Sequence, residues 1–263
     1  MSTMAYALQD SSTMLRRNLR RTLRYPSSVA AAVGIPLVFL LLFVYVFGDT
    51  MGAGLAGVSG GRAEYLNYVT PGIILLAVVG AAQGVAISVA MDMTEGIIAR
   101  FRTMAIARVS VLTGHVVGSL IQTLLAIVIV FAIALALGFD PNATAVEWLA
   151  VAALLALVTF AIIWFSVALG LVSKSVETAS NLPMPLFLLP FLGSGFVPTD
   201  TMPTALRWFA EYQPFTPIME TIRGLLLGTP IHNSAILAVA WSAAIGLGGY
   251  LWAKHLFNRD PSA

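Results

Sequence analysis

The sequence predicts an all-α integral membrane protein with six transmembrane helices, both termini cytoplasmic, an amphipathic N-terminal helix and a re-entrant outer hairpin. Three observations predict it. Of 263 residues, 59% are hydrophobic and only 10% are charged, and the mean hydropathy is +0.90. A soluble domain carries about a quarter charged residues, so most of this surface faces lipid. The apolar residues fall into six runs close to the roughly 20 residues that a helix needs to cross hydrocarbon. The positive charges alternate from loop to loop: eleven of the fourteen Lys and Arg fall on one side when the N-terminus and every second loop are placed inside. That asymmetry sets the N- and C-termini in the cytoplasm.

The first element is the basic stretch "SSTMLRRNLRRTLRYPSS". Leu15, Leu19 and Leu23 recur every fourth residue and share one helical face, while Arg16, Arg17, Arg20, Arg21 and Arg24 occupy the rest. Ser11, Ser12 or Thr13 caps its start, and Pro26 turns Tyr25 away from helix. A helix of residues 11–25 with this pattern lies in the inner interface, its arginines among anionic headgroups. Setting the topology alone would need the charge but not the leucine spacing. The apolar run that follows is too long for a signal peptide and no A-x-A site follows it. With a net charge of only +2, the cluster is no nucleic-acid signal.

The six spans are read near residues 29–47, 68–91, 115–138, 148–172, 179–197 and 234–254. They are too long and too unalternating for strands. A cytoplasmic segment, residues 92–110, separates the second and third. It mixes Ile97, Ile98, Phe101, Met104 and Ile106 with Glu95, Arg100, Arg102 and Arg108. Spacing alone fits a helix docking on a protein partner or one lying on lipid. Pro183, Pro185 and Pro190 kink the fifth span. The outer segment 198–233 is divided by Pro203, Pro214, Pro217 and Pro230 into two short helices, near 205–212 and 217–227, with Gly228 as a stop. Glu220 and Arg223 lie one turn apart, a pairing distance. Gly80-x-x-x-Gly84 and Gly114-x-x-x-Gly118 read as close-approach motifs packing within the chain. Gln83, Ser88, Gln122, Thr123 and Ser166 are polar within spans and fit either a lining of the path or, more commonly for such residues, hydrogen bonding between helices.

Enzyme chemistry finds no support. There is no cysteine, which excludes disulfides and thiolate chemistry, and His115, His232 and His255 lie in separate segments. "GVSGG" around Ser59 has the letters of a nucleophile elbow but sits in a Gly-rich loop, where a flexible linker is expected. Neither Lys174 nor Lys254 follows the glycine of a phosphate loop. Driven transport would need a motor on another chain or an ion gradient. A proton-coupled carrier would want mid-span carboxylates, and the six runs as drawn contain none.

Three stretches together resemble type-2 ABC transporter permeases, above all the daunorubicin-resistance drug-export branch. They are the basic helix ending "LRYP", the exit of the second span "DMTEGIIARFRTMAIARVSVLTGHVVG", and "NLPMPLFLLPFLGSGFVPTDTMPTALRWFAEYQPFTPIMETIRGLLLG". The resemblance covers nearly the whole chain as one permease domain, residues 1–263. It implies a cell-membrane subunit that pairs with a second permease copy or paralogue and with two cytoplasmic ABC ATPase subunits. ATP and Mg are then expected on the ATPase, and no cofactor on this chain. It further implies that residues 94–108 form the coupling helix, with Phe101 as an apolar knob and Glu95, Arg100 and Arg102 as polar partners. The basic helix would be an elbow helix and the outer hairpin a closure of the external end. Spans one and five would form the dimer seam and the path of a lipophilic drug or lipid-like cargo. A glycolipid or saccharide exporter is the nearest alternative; a non-ABC carrier or a membrane scaffold is more distant.

Overall fold

The computed structural model describes residues 26–54, 61–95 and 108–258. The basic stretch 11–25 with its five arginines, Ser59, and the segment containing Arg100, Phe101 and Arg102 lie outside the described residues.

The described chain is helical. Pro26, whose fixed φ and missing N–H suit a first helical turn, opens α1 (Pro26–Leu42). A π-helical turn (Phe43–Phe47) and α2 (Gly48–Gly54) continue it past the expected end at residue 47. The extension is held by Arg62, which pairs with Asp49 at 3.2 Å and lies 5.0 Å over the Tyr45 ring. α3 (Arg62–Thr94) runs 33 residues and also exceeds the expected span. α4 (Arg108–Ala136) leads through Gly138, at φ 104°, to α5 (Ala145–Val172). Thr144 and Glu147 form a reciprocal capping box at the start of α5, which satisfies two backbone donors. α10 (Ser234–Asn258) closes the described chain. Among the described residues, five helices are long and apolar enough to cross a membrane.

The expected fifth span, 179–197, is not one continuous helix. It breaks into α6 (Val176–Asn181), α7 (Met184–Leu188) and a run of turns to residue 197. The cause is local. Pro183, Pro185 and Pro190 lack backbone donors and clash with preceding carbonyls, and Gly193 and Gly195 follow. Three prolines within eight residues end the helix where one would kink it. Beyond lie a 3₁₀ turn (Thr199–Thr201), α8 (Thr204–Tyr212) and α9 (Phe215–Leu227). Gly228 caps α9 in the left-handed region at φ 72°, as the sequence predicts.

α3 is the central post, buried along most of its length and packed against α1, α4, α5 and the broken segment. α9 is packed into the protein interior: Phe215, Ile218, Met219, Ile222 and Leu226 are all in the core. One apolar cluster fills the end that holds α9, and a second, with Val89, Val116, Trp164 and Phe257, fills the opposite end. Gly80 and Gly84 do not make the expected close approach; a Cβ at either would meet nothing within 4 Å. The tight crossings use other glycines. A Cβ on Gly72 would stand 2.8 Å from the Gly195 carbonyl oxygen, and one on Gly249 would stand 2.6 Å from the Phe165 nitrogen.

Candidate functional site

A broken helix leaves carbonyls without their helical donors, and several of those here are buried. Each must find a donor or cost several kcal/mol. The broken segment obtains its donors from side chains of α3 and of the α8–α9 hairpin. Gln83 Nε2 donates to the Ser180 carbonyl at 2.9 Å, at the end of α6. Gln213 Nε2 donates to Leu189 O at 3.4 Å and to Thr216 Oγ1 at 3.0 Å, while its Oε1 accepts from the Phe215 N–H. Tyr65 Oη donates to Phe196 O at 3.2 Å. The Ser194 N–H donates to Thr216 Oγ1 at 3.3 Å. The Gly72–Gly195 approach lets the two backbones come close enough for these bonds.

Arg223 is the centre of this arrangement. Its Nη2 donates to Ser194 O at 2.7 Å and to Tyr68 O at 3.1 Å, and its guanidinium carbon lies 4.0 Å over the Tyr68 ring. Pro71 lacks the N–H that would bond the Asn67 carbonyl, so the α3 ladder is already weakened one residue before Tyr68, whose carbonyl Arg223 shares. The residue is 8% exposed. The expected Glu220–Arg223 pair does not form. Glu220 accepts from Ser234 Oγ at 2.7 Å instead, and among the described residues no ion pair joins Arg223 to a carboxylate. The carbonyls of Tyr68 on α3 and Ser194 on the broken segment take the guanidinium in place of the carboxylate one turn away.

The same broken segment faces α1 through phenylalanine rings. Phe39 and Phe43 meet Phe187, Phe191 and Phe196, with Phe43–Phe196 centroids at 4.6 Å and Phe191–Phe196 stacked at 4.5 Å. Phe43 opens the π-helical turn. Such turns within helices recur at functional positions. Aromatic pairs in offset or tilted geometry add about 0.5–1.5 kcal/mol each beyond their area burial. The contact joins the two expected path-forming elements through an apolar wall. Of the prolines, Pro183 and Pro190 are buried and Pro185 is exposed.

Other expected residues are placed apart from this centre. Glu95 is exposed, one residue past the end of α3, and Arg108 is the first residue of α4. Thr123 and Ser166 do not bridge spans by their described bonds; each donates to the carbonyl four residues back in its own helix. Sequence reasoning missed Tyr65, Gln213, Thr216 and the aromatic wall. It also missed Asp92, only 3% exposed in the last turn of α3, which it had placed in a loop. Recurrent Phe at 187, 191 and 196 was the available signal for the wall.

Residues 9–227 match the family described as ABC-2 type transporter. The chain belongs to this family. The permease is 27% identical over 226 residues, 86% of its length and 77% of the relative's, to the daunorubicin resistance ABC transporter permease protein DrrB1 of Streptomyces coeruleorubidus. It is 23% identical over 238 residues to the probable doxorubicin resistance ABC transporter permease protein DrrC of Mycobacterium tuberculosis, covering 89% of this chain and 83% of the relative. It is thus a multi-pass cell-membrane transport subunit of an ABC exporter, with its ATPase on a partner chain.

Proposed function

We propose that the permease carries a lipophilic drug or lipid-like molecule out across the cytoplasmic membrane as one half of an exporter with a second permease, a copy or a paralogue, and two cytoplasmic ATPase subunits. ATP and Mg bind on those subunits. The observation that carries this reading is the near end-to-end likeness to permeases named for daunorubicin and doxorubicin resistance. The wall of phenylalanines between α1 and the broken segment supports an apolar, ring-bearing cargo. The charge asymmetry supports an outward-facing hairpin and cytoplasmic termini.

In this reading, closure of the ATPase dimer pushes on segment 92–110, in which Phe101 is the apolar knob and Glu95, Arg100, Arg102 and Arg108 are its polar neighbours. The basic helix with Arg16, Arg17, Arg20, Arg21 and Arg24 steadies the inner interface. Nucleotide drives the cycle only through its different affinity for the two states. The test is a gentle-detergent pull-down of tagged permease from its native membrane, with ATP hydrolysis and daunorubicin efflux from cells as readouts. A stoichiometric ATPase is expected to co-purify, and Phe101→Ala to lower efflux with membrane insertion intact. A chain that purifies alone, or normal efflux by Phe101→Ala, would refute the assignment.

A further inference from the structure

Arg223 is held incompletely. Arginine stays charged in proteins and offers five N–H donors. Here two carbonyls and one ring face receive it, while its Nε is fully buried with no hydrogen-bond partner. The Ser194 hydroxyl beside the contact is also buried and unsatisfied. A buried cation in this position is costly, and a carboxylate is its strongest partner, because paired N–H groups match two oxygens. One such carboxylate is one turn away on the same helix, at Glu220, spent here on the Ser234 hydroxyl. The two residues therefore have one set of partners in use and a second within reach.

We propose that Arg223 is a positioning residue for transport that exchanges between two sets of acceptors, the Tyr68 and Ser194 carbonyls it holds here and the Glu220 carboxylate. In the first arrangement α9 is tied to α3 and to the broken segment, so the hairpin moves with the aromatic wall. In the second, the cation is satisfied within α9, its tie to α3 and to Ser194 is gone, and the described hydrogen bonds that still hold the hairpin to the broken segment are Gln213–Leu189 and Ser194–Thr216, which loosens it. Ser234 then loses its acceptor and the Tyr68 and Ser194 carbonyls lose their donor, so the exchange has a cost on each side and two discrete positions. The proposal rests on the export reading for its role in transport, though the exchange itself does not.

The absence of cysteine makes the chain free of labelling background. Leu188→Cys on α7 and Trp208→Cys on α8 place spin labels at positions 53% and 66% exposed, one on the broken segment and one on the hairpin. Distances are read by double electron–electron resonance on the full permease in lipid nanodiscs. Two distances are expected. Glu220→Gln should shrink the released population at least fivefold, Arg223→Met should enlarge it, and Arg223→Lys should restore two distances at an altered ratio. Shifts of Glu220→Gln and Arg223→Met in the same direction, or no shift in either, overturn the exchange. A response to Arg223→Met alone makes Arg223 a static tie and also overturns it. Where Arg223→Met fails to accumulate, the Glu220→Gln response decides. Repeating the measurement on permease purified with its ATPase, with ATP and vanadate, separates the two readings. Opposite shifts in nanodiscs with no nucleotide response support the exchange and count against the export reading.

Discussion

Gly72 is the position where a single carbon should matter most. It lies inside α3, where alanine is the better helix former by about 1 kcal/mol. A Cβ there would stand 2.8 Å from Gly195 O, 3.0 Å from its Cα and 3.1 Å from its carbonyl carbon. Carbon atoms pack best at about 3.5–4.0 Å, so Gly72→Ala must push back three backbone atoms of the broken segment. Those atoms cannot yield separately, because the flanking carbonyls are tied to Arg223 and Tyr65. Overpacking of this kind costs about 1–3 kcal/mol, against a propensity gain of at most about 1. Three backbone contacts at 2.8–3.1 Å put the cost in the upper half of that range, about 2–3 kcal/mol, so the expected balance is a loss of about 1–2 kcal/mol, or a Tm lower by about 2–8 °C. Intrinsic tryptophan fluorescence during heating in detergent reads it. Gly80→Ala is the control, since its Cβ meets nothing within 4 Å and should leave Tm equal or higher. Gly72→Ala as stable as the parent, or Gly80→Ala equally destabilised, would refute the argument.

Tyr65→Phe keeps the ring and removes the donor to Phe196 O. It should cost about 1 kcal/mol and lower Tm by about 2–4 °C in the same assay. Gln213→Leu deletes two donated bonds and one accepted bond at the start of α9. It should lower Tm further than Tyr65→Phe and speed amide exchange across residues 189–196, read by mass spectrometry. Thr144→Ala breaks the capping box of α5 at a cost of about 1 kcal/mol, and Thr144→Ser should recover most of it.

The long helices were legible because lipid imposes one simple rule, a run of apolar residues of sufficient length. The same rule does not see the breaks in the fifth segment. Hydropathy sums side chains and is blind to the backbone donors that Pro183, Pro185 and Pro190 remove. The hairpin was legible in its prolines and in Gly228, which mark helix ends directly. Its burial was not, since α9 carries the apolar pattern of a surface helix and only tertiary contact puts Ile222 and Leu226 in the core. Arg223 was found by its charge but given the wrong partner. A carboxylate three residues away is visible in sequence, whereas the carbonyls of Tyr68 and Ser194 carry no letter of their own. The glycine motif failed for a related reason. Spacing places Gly80 and Gly84 on one face, but which helix that face meets is decided elsewhere. Residues 96–107 and 11–25 lie outside the described residues, so the coupling and elbow readings rest on sequence.

The length of α3 has a mechanical meaning. At 1.5 Å per residue, its 33 residues make a rod about 50 Å long, while hydrocarbon is about 30 Å thick. Some 20 Å of it therefore stands clear of the acyl chains. One tip bears Glu95, at the entrance to segment 96–107, and the other end carries Tyr65, Tyr68 and Gly72 against the broken segment. A beam of that length carries a push at one end to the other as an equal and opposite swing. A tilt of about ten degrees about its midpoint carries each tip about 4 Å, in opposite directions. Force applied beneath the membrane would thus arrive at the aromatic wall as leverage, without any cargo or ion having to travel between the two ends.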